Sequence, residues 1–248
     1  MSLATLANKV LGSLGVRVTR NAHANRFQAM EESLRAMARR GFAPGTIIDA
    51  GANVGEWTLM CRAIFPRAAY HMIEPQAGCA SALRSITGES SDVHLHAVAV
   101  TRPGVQRVSM VGGGPSRSGT GAWVANPDDA SVNAEACAAT TLDELFGGEL
   151  SKPVLLKLDL EGHELAALEG AEKLLRQVEV LLTETSMFDV NDSGRPLFFD
   201  VLVFLRNRGY ELYDVASLSE RPRDGRLRQA DAVFVRRDSF LLGDRSWD

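Results

Sequence analysis

A chain of 248 residues with 45% hydrophobic and 23% charged residues can bury a sizeable core, which excludes wholesale disorder and suits one α/β domain with an appendage. No apolar run reaches the length of about 18 residues that a spanning helix needs. The formal net charge of -4 argues against a protein built to grip a nucleic-acid backbone, and three cysteines (Cys61, Cys79, Cys137), odd in number and without metal-type spacing, predict a reducing, cytoplasmic compartment rather than a disulfide framework or a zinc site.

The N-terminus carries Leu3, Leu6, Val10 and Leu14 at near-helical spacing, which predicts an amphipathic helix over 2–14. Lys9 interrupts any would-be signal core and no basic segment precedes it, so no secretory signal is expected. The stripe packs on its own domain or on a second subunit of a homo-oligomer. Peripheral membrane contact, helped by Arg17, Arg20, Arg26, Arg35, Arg39 and Arg40, is the second reading. A further helix over 24–40 ends at the turn cluster of Gly41 and Pro44. This places an N-terminal helical extension at 1–44 and the main domain at 45–248.

From there the chain alternates. Strands are expected at 46–50, 70–73 and 93–100, with helices at 56–64 and about 77–86 between them. Residues 104–139 are irregular, with one extra strand at 105–111 and a flexible glycine-rich stretch after it. Thr141-Leu142-Asp143-Glu144 has capping-box spacing and starts a short helix. A buried-type strand at 154–160, a helix at 164–175, a strand at 178–183 and a helix at 197–208 follow. Strands at 210–215 and 232–235 have no helix between them. The pattern predicts a doubly wound, Rossmann-like, mostly parallel seven-stranded sheet closed by an antiparallel C-terminal hairpin. Its ligand belongs at the carboxyl ends of the strands, where their order reverses.

The loop after the first strand reads Asp49-Ala50-Gly51-Ala52-Asn53-Val54-Gly55. A dinucleotide fingerprint starting at Gly51 would need glycines at 53 and 56, where Asn53 and Glu56 stand. Asp49 and Glu56 would repel a pyrophosphate but attract a cationic ligand, and S-adenosylmethionine brings a sulfonium, an ammonium and no phosphate. Glu74 ends the next strand, where a carboxylate can accept both hydroxyls of a ribose. A third element, Lys157-Leu158-Asp159-Leu160-Glu161-Gly162-His163-Glu164, puts acids and an imidazole at the rim where a substrate would meet the cofactor. Acids at a helix start can serve its dipole alone, yet Asp159, Glu161 or His163 would also serve as a base. Asp159 and Glu161, with Glu184, could gather a divalent cation, but nothing in the sequence requires a metal and none is expected.

Those segments, with Ile73-Glu74-Pro75, Thr141-Leu142-Asp143-Glu144-Leu145 and Glu169-Gly170-Ala171, resemble the FkbM-type methyltransferases from about Gly45 to Arg237. The resemblance implies a class I methyltransferase fold, S-adenosylmethionine as donor, and a hydroxyl acceptor on a sugar, glycan or secondary metabolite. It implies that Asp49, Gly51, Asn53, Gly55 and Glu74 line the cofactor and that Asp159 and Glu161 face the reaction centre. His163 stands where the family more often has a small residue. The alternatives are an NAD(P)-dependent oxidoreductase, disfavoured by the missing glycines, and a non-catalytic nucleotide-binding domain. Nucleic-acid methylation is disfavoured by the absence of an Asn-Pro-Pro-Tyr or Asp-Pro-Pro-Tyr tetrapeptide after the fourth strand.

Overall fold

The computed structural model of the protein describes residues 26–88, 90–112, 122–125, 134–189, 194–244 and 246. The expected helix over 2–14, with Leu3, Leu6, Val10 and Leu14, lies outside the described residues. The described elements are α1 (Arg26–Arg39), β1 (Thr46–Ala50), α2 (Glu56–Ile64), β2 (Ala69–Ile73), α3 (Ala80–Gly88), β3 (Val93–His96), β4 (Ala99–Val100), β5 (Arg107–Val111), β6 (Trp123–Val124), β7 (Glu135–Thr140), α4 (Leu142–Phe146), β8 (Val154–Leu158), α5 (Glu164–Glu169), β9 (Val178–Ser186), α6 (Phe198–Arg206), β10 (Tyr210–Glu220) and β11 (Leu227–Arg236).

Seven strands form the main sheet in the order β10-β11-β9-β8-β1-β2-β3. Strand β1 pairs in parallel with both β2 and β8, and β11 runs antiparallel to β9 and β10. The chain leaves β1 toward β3 on one side and returns through β8 and β9 on the other, so the order reverses at β1 and β8.

Side-chain alternation along each strand feeds two cores. Ile47, Leu155 and Val180 meet Met30, Leu34 and Met37 of α1 and Trp57 and Cys61 of α2 on one face. Ile48, Leu156 and Leu181 meet Phe146, Leu168 and Leu205 on the other. Burying each such side chain contributes roughly 1.5–3 kcal/mol, which holds the strand ends in place beneath the loops. Helix α1, assigned by sequence to an extension, thus contributes to the same core as β1. Among the described residues no helix is long and apolar enough to cross a membrane.

The expectations fail in four places, each for a local reason. The strand expected over 93–100 breaks after His96, where Val98 N–H donates back to the His96 carbonyl, and β4 leaves the main sheet. β4 joins β7, β5 and β6 in a second, four-stranded sheet, of which the reading of 104–139 gave only the strand at 105–111, formed as β5. Strand β7 reads Glu-Ala-Cys-Ala-Ala-Thr, and its three alanines carry little β-propensity. The helix expected over 164–175 stops at Gly170, a residue of low helix propensity that caps it and lies so close to Thr101 that a Cβ would be 2.3 Å from its carbonyl oxygen. Both hairpin strands run longer than their apolar centres, β10 to Glu220 and β11 from Leu227. The capping box at Thr141 and Glu144 is formed as expected.

Candidate active site

The loop between β1 and α2 crosses the end of β2, with the amides of Gly51 and Ala52 both donating to the Ile73 carbonyl. Gly51 has φ 80°, and a Cβ there would sit 1.9 Å from the Asp159 carbonyl oxygen. Only glycine lets the loops after β1 and β8 approach this closely. Asn53 also lies in the left-handed region, at φ 51°, and its amide points at Glu74. The Glu74 carboxylate accepts from the Asn53 amide at 2.9 Å and from the Gln76 amide at 3.0 Å, one bond to each oxygen. Burial pushes its pKa up, and the two backbone bonds oppose that shift.

Asp49 and Lys157 face each other in register on β1 and β8, a carboxylate and an ammonium inside two fully buried strands. Lys157 Nζ donates to Asp49 Oδ1 at 2.9 Å and to the Gly51 carbonyl at 3.1 Å, and lies 3.7 Å from Asp159. The second Asp49 oxygen accepts from the Thr58 hydroxyl at 2.7 Å. Burial works against the charge on Lys157, but Asp49 and Asp159 outweigh it and raise its pKa. Lys157 also lies 5.6 Å from the centre of the Trp57 ring.

A cavity of about 210 Å³ opens at this end of the sheet. Gly51, Asn53, Glu74, Asp159, Glu161 and His163 all line it. Asp49 and Gly55 do not line it. Asp49 is turned inward to Thr58 and Lys157, and the Cβ position of Gly55 faces Ile86, so that glycine serves the packing of α2 on α3. Val100 of β4, Met110 of β5 and Val124 of β6 form an apolar wall supplied by the second sheet. Trp57, Lys157 and Arg26 line the cavity too. For Lys157 a signal existed in the chain, since a lysine inside an apolar strand run needs a buried partner. Arg26 had none.

The loop after β8 is held by Glu164, whose buried carboxylate accepts from the amides of Leu160 at 2.8 Å and Gly162 at 3.2 Å. Glu161 adopts φ 53°, and Arg195 donates to its carbonyl at 2.9 Å. His163 Nε2 lies 2.9 Å from the Thr101 hydroxyl, and burial together with Arg102 pushes its pKa down to about 4. The imidazole is therefore neutral at pH 7 and tied to Thr101, a poor match for a base working near neutrality.

Glu164 carries a prediction. Burial pushes its pKa up to about 7 from an ordinary value of 4.5, so between those values folding takes up a proton. The stability this gives is fully present below pH 4.5 and is lost as pH rises through 7. A difference of this size corresponds to roughly 3 kcal/mol. Glu164→Gln keeps an oxygen for the two amides and removes the titration. The variant should be more stable than the parent at pH 8 and should show a flatter dependence of unfolding free energy between pH 5 and 8. Parallel curves for the two proteins in urea titrations across that range would count against the assignment.

The sheet order, the glycine loop at the reversal point and the acid closing β2 define a Rossmann-like fold of the class I methyltransferase type. The FkbM methyltransferase domain model matches residues 49–212, and the chain belongs to that family. Among solved structures, the FkbM methyltransferase of Methylobacillus flagellatus is 16% identical with a TM-score of 0.50, over 78% of this chain and 44% of its own. The chain thus spans less than half the length of that protein. The NodS N-methyltransferase of Bradyrhizobium japonicum with S-adenosylhomocysteine is 9% identical, with a TM-score of 0.48, over 86% of this chain and 89% of its own. The 1,6-didemethyltoxoflavin-N1-methyltransferase of Burkholderia thailandensis is 14% identical, with a TM-score of 0.47, over 96% and 92%. No curated protein matches the chain at a significant level.

Proposed function

We propose that the protein is an S-adenosylmethionine-dependent O-methyltransferase acting on a hydroxyl of a sugar, glycan or secondary metabolite. The observation that carries the donor is the charge around the cavity. Glu56, Glu74, Asp159 and Glu161 line it against Arg26 and Lys157, a balance that suits a sulfonium and an ammonium and opposes a pyrophosphate. Two further features fit the same donor. The Glu74 oxygens accept from the amides of Asn53 and Gln76 and from the Gln76 side chain, and a carboxylate has a further acceptor position for a ribose hydroxyl. Trp57 Nε1 is buried without a hydrogen-bond partner among the described residues, and a donor carboxylate would satisfy it.

S-Adenosylmethionine supplies an electrophilic methyl group on its sulfonium. In this reading Gly51 and Asn53 bring backbone to the donor, and Glu74 accepts from its ribose. Asp49 acts one step removed, by holding Lys157. On the acceptor side Asp159 and Glu161 orient the hydroxyl and take its proton, with the Lys157 ammonium 3.7 Å from Asp159. His163 shapes the wall through Thr101. The acceptor is a small molecule or glycan rather than nucleic acid, in keeping with the net charge of -4. The three free cysteines suit a reducing compartment such as the cytoplasm.

Titration calorimetry with S-adenosylhomocysteine and with NAD tests the donor, and the first should bind far more tightly. Glu74→Ala should weaken S-adenosylhomocysteine by about 1.5–3 kcal/mol, the cost of a lost hydrogen bond to a charged acceptor, with the fold retained. Tighter binding of NAD, or wild-type affinity in Glu74→Ala, would overturn the donor site.

A further inference from the structure

Arg26, the first residue of α1, lies outside the segment that matches the family and reaches into the carboxylate side of the cavity. One of its guanidinium nitrogens, Nη2, is 3.1 Å from Asp159 Oδ2, 2.5 Å from Glu184 Oε2 and 2.6 Å from Asp231 Oδ1. Its Nε donates to the other Asp231 oxygen at 2.6 Å. The three acids come from the end of β8, from β9 and from β11. Asp231 and Glu184 side chains are 1% and 7% exposed, so their charges are not left to solvent.

The arrangement around Nη2 is that of a cation in a coordination shell. Asp159, Glu161 and Glu184 offer oxygens that lie within 4.8 Å of one another, the spacing of ligands around one hard divalent ion. Carboxylates gathered this closely need a positive charge among them. Lys157 reaches only Asp159 of the three, at 3.7 Å, and is committed to Asp49. Gln229 donates to Glu184 and Ser217 to Asp231, but both are neutral.

The geometry points to Arg26 as the resident cation of the acceptor side: a positioning residue, anchored on Asp231, whose guanidinium sits against Asp159 and Glu184 and takes the place of a divalent metal that Asp159, Glu161 and Glu184 would otherwise hold. It fixes the Asp159 carboxylate at the cavity wall and keeps free metal out. This rests on the reading of Asp159 as acceptor-facing, and it makes α1 part of the functional site.

The test uses manganese(II) chloride alone, followed by the electron paramagnetic resonance signal of free Mn²⁺, on the full chain and on R26M, R26K and R26M/E184Q. R26M should bind one Mn²⁺ at least about tenfold more tightly than the wild-type protein, because the carboxylates are left without their counter-charge. R26K, which restores a cation, should return to wild-type behaviour, and R26M/E184Q should lose the gain. R26M/D231N removes the guanidinium together with its most buried acid and should show the same gain if R26M alone does not fold. Equal Mn²⁺ affinity in the wild-type protein, in R26M and in R26M/D231N would overturn the assignment. So would R26K binding as tightly as R26M. S-Adenosylhomocysteine titration of the wild-type protein runs alongside. Its failure would remove the proposed donor and leave the Mn²⁺ comparison intact.

Discussion

Gly51→Ala should abolish donor binding and destabilise the fold, whereas Gly209→Ala, at nearly the same backbone angle, should do neither to a comparable degree. Gly51 has φ 80° and Gly209 φ 84°, so both substitutions carry the left-handed penalty of roughly 1–2 kcal/mol. They differ in surroundings. A Cβ at Gly51 would overlap the Asp159 carbonyl at 1.9 Å, and a Cβ at Gly209 meets nothing within 4 Å. Relief at Gly51 requires the loops after β1 and β8 to part, which moves Asp159 and the backbone facing the cavity together. Overpacking of this kind typically adds about 1–3 kcal/mol, and the S-adenosylhomocysteine affinity should fall beyond what calorimetry can measure. Equal melting temperatures for the two variants would show that the close approach is not what glycine is there to permit.

Asp159→Asn should lower turnover by about 10²–10⁴-fold, the span of a positioned acid or base, once an acceptor is in hand. Its S-adenosylhomocysteine affinity should stay within a few-fold of the parent, since the proposed function puts the side chain on the acceptor side. The melting temperature should move little, because Arg26 retains Glu184 and Asp231 and Lys157 retains Asp49. His163→Ala should cost less turnover, because its neutral imidazole acts through Thr101. A fully active Asp159→Asn enzyme would move the search for the base to Glu184, whose pKa burial and Asp159 push up and Arg26 pulls back.

What the chain discloses before folding follows from where its contacts lie. Gly51, Asn53 and Glu74 sit within one strand–helix–strand unit, so their spacing marked them as one local group, and the cavity gathers them. Asp49 belongs to the same motif, but motif membership does not say which way a strand residue points, and its register partner Lys157 turned it inward. Arg26, Glu184 and Asp231 meet only through pairings across 205 or fewer positions of chain, with no local pattern to mark them. The second sheet was illegible for another reason. Its strands β4 and β6 are two residues long, too short for alternation to register.

The position of β11 between β9 and β10 has a bearing on how the protein is made. The half of the cavity that holds Glu74 is built from one contiguous stretch, Thr46 to Gln76, and can organise while most of the chain is still unsynthesised. The other half cannot. Asp231 lies on the last strand, which joins β9 and carries β10 at the sheet edge, and its ion pair with Arg26 closes a loop reaching back to the start of the described chain. A nascent chain therefore has the residues of its glycine loop early and completes its acid cluster last. A chain truncated before Leu227 would leave β9 with a bare edge, open to pairing with strands of other molecules.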